Sequence, residues 1–428
     1  MIIDFPRIKP CTKWFMISFI VLAFTQVEAI TSNDDFLIRD GLPNIRLSLQ
    51  NKDTVRVAYF GGSITAQKGW RIYSQEWLKA KYPQSEIVEI DAAIGGCGSD
   101  FGVFRLKEHA LRFDPDLVFV EFAVNDGGTE PATIIKAMEG IVRQIWETDA
   151  TTDICFVYTI AMDFLKEYHV GSLPQSVETM EKVAAHYGIP SMNFGPEVIR
   201  QIDDGVLQFK GRITGNDHVS VFSPDGVHPY PETGHRIYES VFKKSFSKII
   251  DASSDGEMIH GVGTPLDERY YGNTRMVKWD ECEGTEKWDN IDASSNTHFN
   301  GFAKYFRTIG NAVPGDSVVF RFVGDAFGFY DLKTPDSGVL LLEIDGVPTD
   351  TIPRFDKYTT YRRISYKLIT GLEHKRHTVV LRVLDKKLDK RAILSELGNS
   401  MRNPQEYEGK NWYLAKLMIN GTLLENEK

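Results

Sequence analysis

A mainly parallel α/β sheet covered on both faces by helices, followed by an all-β sandwich or jelly roll, is the architecture the sequence predicts. Three observations point to it. Between residues 55 and 250, short apolar runs alternate with segments of helical spacing. Beyond residue 265 the helical spacing stops, and many short strand-like runs separated by turns take over. At 428 residues, 42% hydrophobic and 25% charged, the chain is long enough for two or three domains of ordinary globular composition.

The first region reads as strands over 55–60, 86–91, 117–122, 154–159 and 190–193, with helices over 70–82, 101–110, 132–147, 177–187 and 232–250. Apolar strands of this kind, buried on both faces, belong to parallel sheets, whose ligands sit at the carboxyl ends of the strands. Residues 251–264, with Ser253-Ser254-Asp255-Gly256, read as a linker. The second region, 265–428, reads as strands over 276–279, 303–309, 317–323, 326–332, 339–344, 361–368, 375–383 and 413–419, with a polar, strand-poor insertion over 385–409.

Residues 1–29 read as a cleaved signal peptide, so the first domain is taken as 30–250. Arg7, Lys9 and Lys13 precede an apolar run, 14–24, broken only by Ser18, and Val27-Glu28-Ala29 is an acceptable cleavage site. The run is too short to span a bilayer comfortably. The expectation is a secreted or periplasmic protein with no stable membrane insertion after cleavage. The net charge of −10 argues against a nucleic-acid partner. Cys11 leaves with the signal. Cys97, Cys155 and Cys282 make no disulfide framework, and at least one must be unpaired within the chain. Cys155, inside an apolar run, reads as a small core residue. The absence of CxxC and HExxH patterns suggests no metal site.

The glycine-rich or polar segments after the first three strands are the places to look for chemistry. After the first comes Gly61-Gly62-Ser63, which puts a serine at the mouth of the sheet, although Gly-Gly-Ser is also ordinary loop chemistry. After the second comes Ala92-Ala93-Ile94-Gly95-Gly96-Cys97-Gly98-Ser99, which matches neither GxGxxG nor GxxxxGK[ST] and instead suits a backbone N–H turned into a site. After the third comes Asn125-Asp126-Gly127, an amide well placed to donate or simply a turn. Far downstream, Ser223-Pro224-Asp225-Gly226-Val227-His228-Pro229 sets an Asp and a His three apart on a tight loop, with Pro231 suited to the first turn of the last helix. Together these pieces supply acyl transfer. Ser63 is the nucleophile, His228 the general base and Asp225 its orienting carboxylate. The N–H groups of Ser63 and Gly96, with the Asn125 amide, form the oxyanion hole.

In this ordered combination the sequence resembles the SGNH (GDSL-like) hydrolase superfamily, whose four blocks fall on Ser63, Gly96, Asn125 and His228, with the family's DxxH aspartate at Asp225. Two departures stand out: Gly62 replaces the aspartate of the GDS triplet, and Ala123 replaces the glycine of the GxND block. The resemblance implies a flavodoxin-like three-layer fold, no cofactor, and cleavage of esters of lipids, aryl alcohols, thioesters or acetylated sugars. The stretches 340–346 and 372–381 look like the galactose-binding-type sandwiches attached to secreted sugar-active enzymes; a domain that merely packs on or narrows the catalytic cleft is the alternative.

Beside these residues, Trp70 reads as a core contact rather than an acyl-pocket wall, Arg71 as a solvated helix charge, and Cys97 as no nucleophile, having no base of its own. The expected function is a secreted serine esterase removing O-acyl, foremost O-acetyl, groups from an acylated carbohydrate. The alternatives are a lipase, lysophospholipase or aryl esterase, and a catalytically inactive glycan-binding protein.

Overall fold

The computed structural model describes residues 30–51, 53–215 and 219–425; the proposed signal peptide lies outside them. The first sheet has six strands: β1 (Phe36–Leu37), β2 (Thr54–Gly61), β3 (Glu86–Asp91), β4 (Leu117–Glu121), β5 (Asp153–Tyr158) and β6 (Ser191–Asn193). Their order is β1-β6-β5-β4-β2-β3, and all neighbours are parallel except the β1–β6 pair. Numbered along the chain, the five parallel strands run second, first, third, fourth, fifth across the sheet, which is the flavodoxin-like order. Every residue of β4 and β5 is buried, because helices cover both faces.

Helices Ser99–His109, Pro131–Thr148 and Gln175–His186 close one face around Phe60, Val118, Val120 and Phe156. Helices Pro43–Asn51, Trp70–Lys81, Gly195–Asp203 and Gly234–Ala252 close the other around Val57, Tyr59, Phe119 and Val157. Trp70 belongs to this second core. It is fully buried among Tyr59, Phe119, Phe194 and Phe242 and lines no acyl pocket.

A short pair, β7 (Leu207–Lys210) and β8 (Ser220–Ser223), leads into the loop carrying Asp225 and His228. The last helix of this domain begins at Gly234, two residues later than the proline signal predicts. The Tyr230 N–H donates to Phe222 O at 2.7 Å and the Thr233 hydroxyl donates to Val221 O, so residues 231–233 form a turn bonded to β8.

The segment after that helix is strapped along the first domain. Ser253 Oγ accepts from the Leu42 N–H at 2.7 Å, Asn44 Oδ1 accepts from the Met258 N–H at 2.9 Å, and the His260 ring stacks on Trp146 at 4.7 Å.

The second region is one connected antiparallel sheet of nine strands: β9 (Thr274–Lys278), β10 (Asp289–Asp292), β11 (Thr308–Ala312), β12 (Ser317–Lys333), β13 (Val339–Ile344), β14 (Val347–Pro353), β15 (Arg363–Ile369), β16 (Lys375–Leu384) and β17 (Trp412–Leu423). The two runs expected at 317–323 and 326–332 are a single strand, β12. Its first half pairs with β16 and its second half with β15, and its register against β17 shifts between Gly324 and Ala326. Phe320 from the first half and Phe327 and Phe329 from the second meet in one core with Leu340, Val379 and Trp412, as a sandwich requires. Of the strand expected over 303–309 only Thr308 and Ile309 lie in one, β11; residues 303–307 are turns that follow a helical turn at Asn300–Phe302, and Phe299 and Phe306 are buried from these turns rather than from strands.

The two regions share a core. The helix Ser99–His109 buries Phe101, Val103 and Phe104 together with Tyr271, Phe306, Tyr330 and Met418 of the second region. Lys416 pairs with Glu108 across the same seam.

Candidate active site

The topological switch point lies between β2 and β4, where the strand order reverses, and open α/β sheets bind ligands there. Ser63 leaves the end of β2 as the first residue of a one-turn helix, Ser63–Ala66. Asn125 follows the end of β4. The Gly96 loop follows β3 and leads into the helix Ser99–His109. All four candidate loops meet here.

Gly62 is their point of contact. A Cβ at this position would fall inside the space of Asn125 Oδ1 and 3.3 Å from Cys97 O. Only a glycine lets the loops after β3 and β4 close on the residue preceding the serine. Gly95 lies against the other flank: a Cβ there would sit 3.5 Å from Ser63 Cβ. Gly96 is exposed and adopts φ +74, a left-handed conformation that favours glycine.

The fourth loop supplies the imidazole. His228 Nε2 lies 2.8 Å from Ser63 Oγ, and His228 Nδ1 lies 2.7 Å from Asp225 Oδ2. This pattern sets the tautomer: Nδ1–H donates to the carboxylate and Nε2 accepts from the serine hydroxyl. The other carboxylate oxygen accepts from the N–H groups of Val227 and His228, each at 2.8 Å, and from Ser223 Oγ at 3.0 Å. Partial burial raises the Asp225 pKa, but the His228 ring and these two N–H groups outweigh it and hold the carboxyl well below the usual carboxylate range. Asp225 is therefore charged at any pH near neutral. A hydroxyl, an imidazole and a carboxylate in one hydrogen-bonded row can remove a proton from the hydroxyl as it attacks a carbonyl. Among the described residues, no group of three or more His, Cys, Asp or Glu side chains could hold a metal ion.

Around this row stand residues whose part is invisible in the sequence. Arg105 is fully buried in the helix Ser99–His109, and its guanidinium donates to Ala92 O and, at 3.0 Å, to Gly61 O, tying the ends of β2 and β3 together. Arg71 corrects the expectation of a solvated charge. It is buried, donates from Nε to Thr65 O at 3.0 Å, and pairs with Glu89, because the turn after Ser63 needs its carbonyl satisfied. Glu121 is buried and accepts from the hydroxyls of Thr65 at 2.7 Å and Thr159 at 2.8 Å; burial raises its pKa, against the pull of those hydroxyls.

Cys97 and Cys155 are buried thiols; burial pushes Cys97 up to about 12, which removes it as a nucleophile. Cys282 is also an unpaired, buried thiol.

Asp126 clamps the Asn125 loop to the Gly96 loop. Its Oδ1 accepts from the Ser99 N–H at 3.0 Å. The Asn-Asp-Gly turn is also present, closed by the Asp126 N–H donating to Phe122 O at 2.9 Å. Burial first, and then the nearby Asp100 carboxyl, push Asp126 up to about 7, against the bonds from Ser99. Its native pKa therefore exceeds its unfolded value. Between about pH 4 and 7 the native state holds a proton that the unfolded chain releases, so this group's stabilisation is complete at low pH and is lost as pH rises through 7. The Tm difference between an Asp126→Asn variant and the parent is expected to shift in the variant's favour from pH 4.5 to 8, by an amount worth up to about 4 kcal/mol. Thermal melts across that range check it; a difference independent of pH would contradict a buried, titrating Asp126.

Residues 59–237 match the GDSL-like lipase/acylhydrolase family. No curated protein matches the sequence. In three dimensions the chain is similar to a two-domain esterase (CEX) active on acetylated mannans. The likeness to its crystal structure with mannopentaose has a TM-score of 0.68 at 20% identity, and that to its crystal structure without the sugar has 0.68 at 21%. Each spans 93% of this chain and 98% of that one, so the shared fold includes both regions. The family match runs from Tyr59 near the end of β2 to Ile237 just beyond the histidine loop, so the part of the chain similar to the GDSL-like acylhydrolases takes in all four candidate loops and supports a hydrolase of carboxylic esters.

Proposed function

We propose that the protein is a secreted serine esterase that removes O-acyl groups, foremost acetyl, from a carbohydrate by way of an acyl-enzyme. The observation that carries this reading is the row Asp225–His228–Ser63 at 2.7 and 2.8 Å, with Gly95 packed against Ser63 and Asn125 against Gly62. Ser63 Oγ attacks the acyl carbon while His228 Nε2 takes its proton, and Asp225 stabilises the imidazolium that forms. The N–H groups of Ser63 and Gly96 and the Asn125 amide receive the negative oxygen of the tetrahedral intermediate. The intermediate collapses, the C–O bond to the sugar breaks, and His228 returns the proton to the departing hydroxyl. Water then attacks the acyl-Ser63 ester with His228 again as base, releasing the carboxylic acid and restoring the serine.

The carbohydrate part rests on three supports: the mannan esterase that shares the two-domain fold, the appended β region, and the export-type sequence over residues 1–29. Acetate release from a panel of acetylated polysaccharides, set against long-chain nitrophenyl esters with the Ser63→Ala protein as blank, tests it. Acetate from at least one polysaccharide and poor cleavage of long chains are expected. Preference for the long chains would favour a lipase, and a protein inert on nitrophenyl acetate yet retained on a polysaccharide would be a binding protein.

A further inference from the structure

The second region makes a polar contact with the catalytic loops. Tyr366, in the middle of β15, donates its hydroxyl to Asp100 Oδ1 at 2.9 Å and lies 3.5 Å from the Gly98 nitrogen, long for a hydrogen bond. Its ring stacks on Phe101 with centroids 4.6 Å apart and planes 13° from parallel. Gly98, Asp100 and Phe101 stand where the Gly96 loop becomes the helix Ser99–His109. That loop starts from a tether on β2, the Ile94 N–H donating to Gly61 O at 3.0 Å. It ends between two carboxyls: a Cβ at Gly98 would strike Asp126 Oδ1 and come 2.9 Å from Asp100 Oδ1. Asp126 holds Ser99 from within the first domain, and Tyr366 holds Asp100 from outside it. Between these anchors lie the exposed residues Gly95 and Gly96.

We propose that Tyr366 is a positioning residue for the Gly96 loop, so that hydrolysis in the first domain depends on a hydroxyl supplied by the second. This rests on the reading of Gly96 as an oxyanion donor. Donors of this kind act through sub-ångström placement, since they must meet the oxygen where its charge develops rather than where the substrate carbonyl rests. Phe101 stacking orients the Tyr366 ring, and the O–H bond to Asp100 then sets the height of the helix start below the glycines. Without the hydroxyl, Asp100 keeps a buried oxygen short of one donor, and the first turn of the helix is free to shift toward another partner.

The experiment uses the full chain with nitrophenyl acetate as substrate and a small alkyl boronic acid as a mimic of the tetrahedral intermediate. Tyr366→Phe keeps the stacked ring and loses the bond. Its kcat is expected to fall by about 5- to 30-fold with KM within about twofold, less than the complete loss of one donor. Boronate affinity should fall in proportion to kcat/KM. Asp100→Asn retains an oxygen that accepts from Tyr366 and should keep kcat within about threefold. Asp100→Ala should match Tyr366→Phe, and the double variant should lose no more than either alone, because both remove the same contact. A purely structural tyrosine would lower Tm and leave the kcat of the folded protein unchanged. Tyr366→Phe turning over at the parent rate while Ser63→Ala is inert overturns the proposal, as does a double variant showing the product of the two losses. An active Ser63→Ala protein overturns the esterase reading instead, and this proposal with it.

Discussion

Replacing Ser63 with alanine is expected to lower kcat/KM for nitrophenyl acetate by roughly 10⁴- to 10⁶-fold, the usual cost of removing a nucleophile from a hydrogen-bonded triad. Folding should barely register the change. The hydroxyl's recorded bond is to a partly exposed imidazole, so its removal costs on the order of 1 kcal/mol, a few degrees of Tm at most. The backbone turn that presents the residue is held by other groups, chiefly Gly62 on Glu121 O, Arg71 on Thr65 O and Arg105 on Gly61 O. Initial rates and a thermal melt on the same preparation separate the two effects. Activity above about 1% of the parent, after correction for contaminating esterases, would remove Ser63 from the mechanism.

The second large effect is expected one residue earlier. Gly62→Ala adds a single methyl group, and the backbone there, at φ −93, tolerates any residue. The cost comes from space: the new carbon would occupy the position of the Asn125 carboxamide, which must swing away from the serine. Losing one donor to the developing oxyanion typically costs about 10²- to 10³-fold in kcat, and that range is expected for Gly62→Ala. The mechanism predicts strong non-additivity. In an Asn125→Ala background the same methyl meets mainly Cys97 O at 3.3 Å, and the further loss should be within about tenfold. Parent-like turnover by Gly62→Ala would mean that the amide relaxes without consequence. The same contact accounts for the departure from the GDS pattern: with Asn125 in this place, this chain has no room for an aspartate at position 62.

The parallel strands were legible because each is a Val-, Ile- and Phe-rich run sealed on both faces, and β3 and β13 fall on the expected residues. What escaped has physical reasons. β14 reads poorly because it is an edge strand carrying Pro348 and Pro353, with six of its seven residues exposed. β10, Asp-Asn-Ile-Asp, is the opposite edge and has no apolar face to announce it. β7 and β8, four residues each, are too short for a periodic signal, and the helix Gly195–Asp203, though amphipathic, spans only nine residues, fewer than the stretch over which helical spacing is read.

At the site, Ser63, Gly96, Asn125, Asp225 and His228 stood out by motif; the structure joins Ser63, His228 and Asp225 by hydrogen bonds, packs Asn125 on Gly62, and sets Gly95, the neighbour of Gly96, against Ser63. Arg105 and Tyr366 did not stand out, and Arg71 reads from sequence as a solvated helix charge, because each works through a tertiary contact that no local pattern encodes. A sequence gives no sign that Tyr366 answers Asp100 across 266 positions, or that a helix arginine points inward at two carbonyls.

The shared core between the helix Ser99–His109 and the β region bears on how the chain comes into being. Phe101, Val103 and Phe104 find part of their cover only after Ala252, in Tyr271, Phe306, Tyr330 and Met418, the last of them on β17 near the carboxyl terminus. At ribosomal speeds of about 5–20 residues per second, the amino-terminal half waits roughly 10–35 s with this oily flank open to water. During that interval the uncovered part of the helix is an apolar surface through which unfinished chains can self-associate, and the arrival of the last strand closes it.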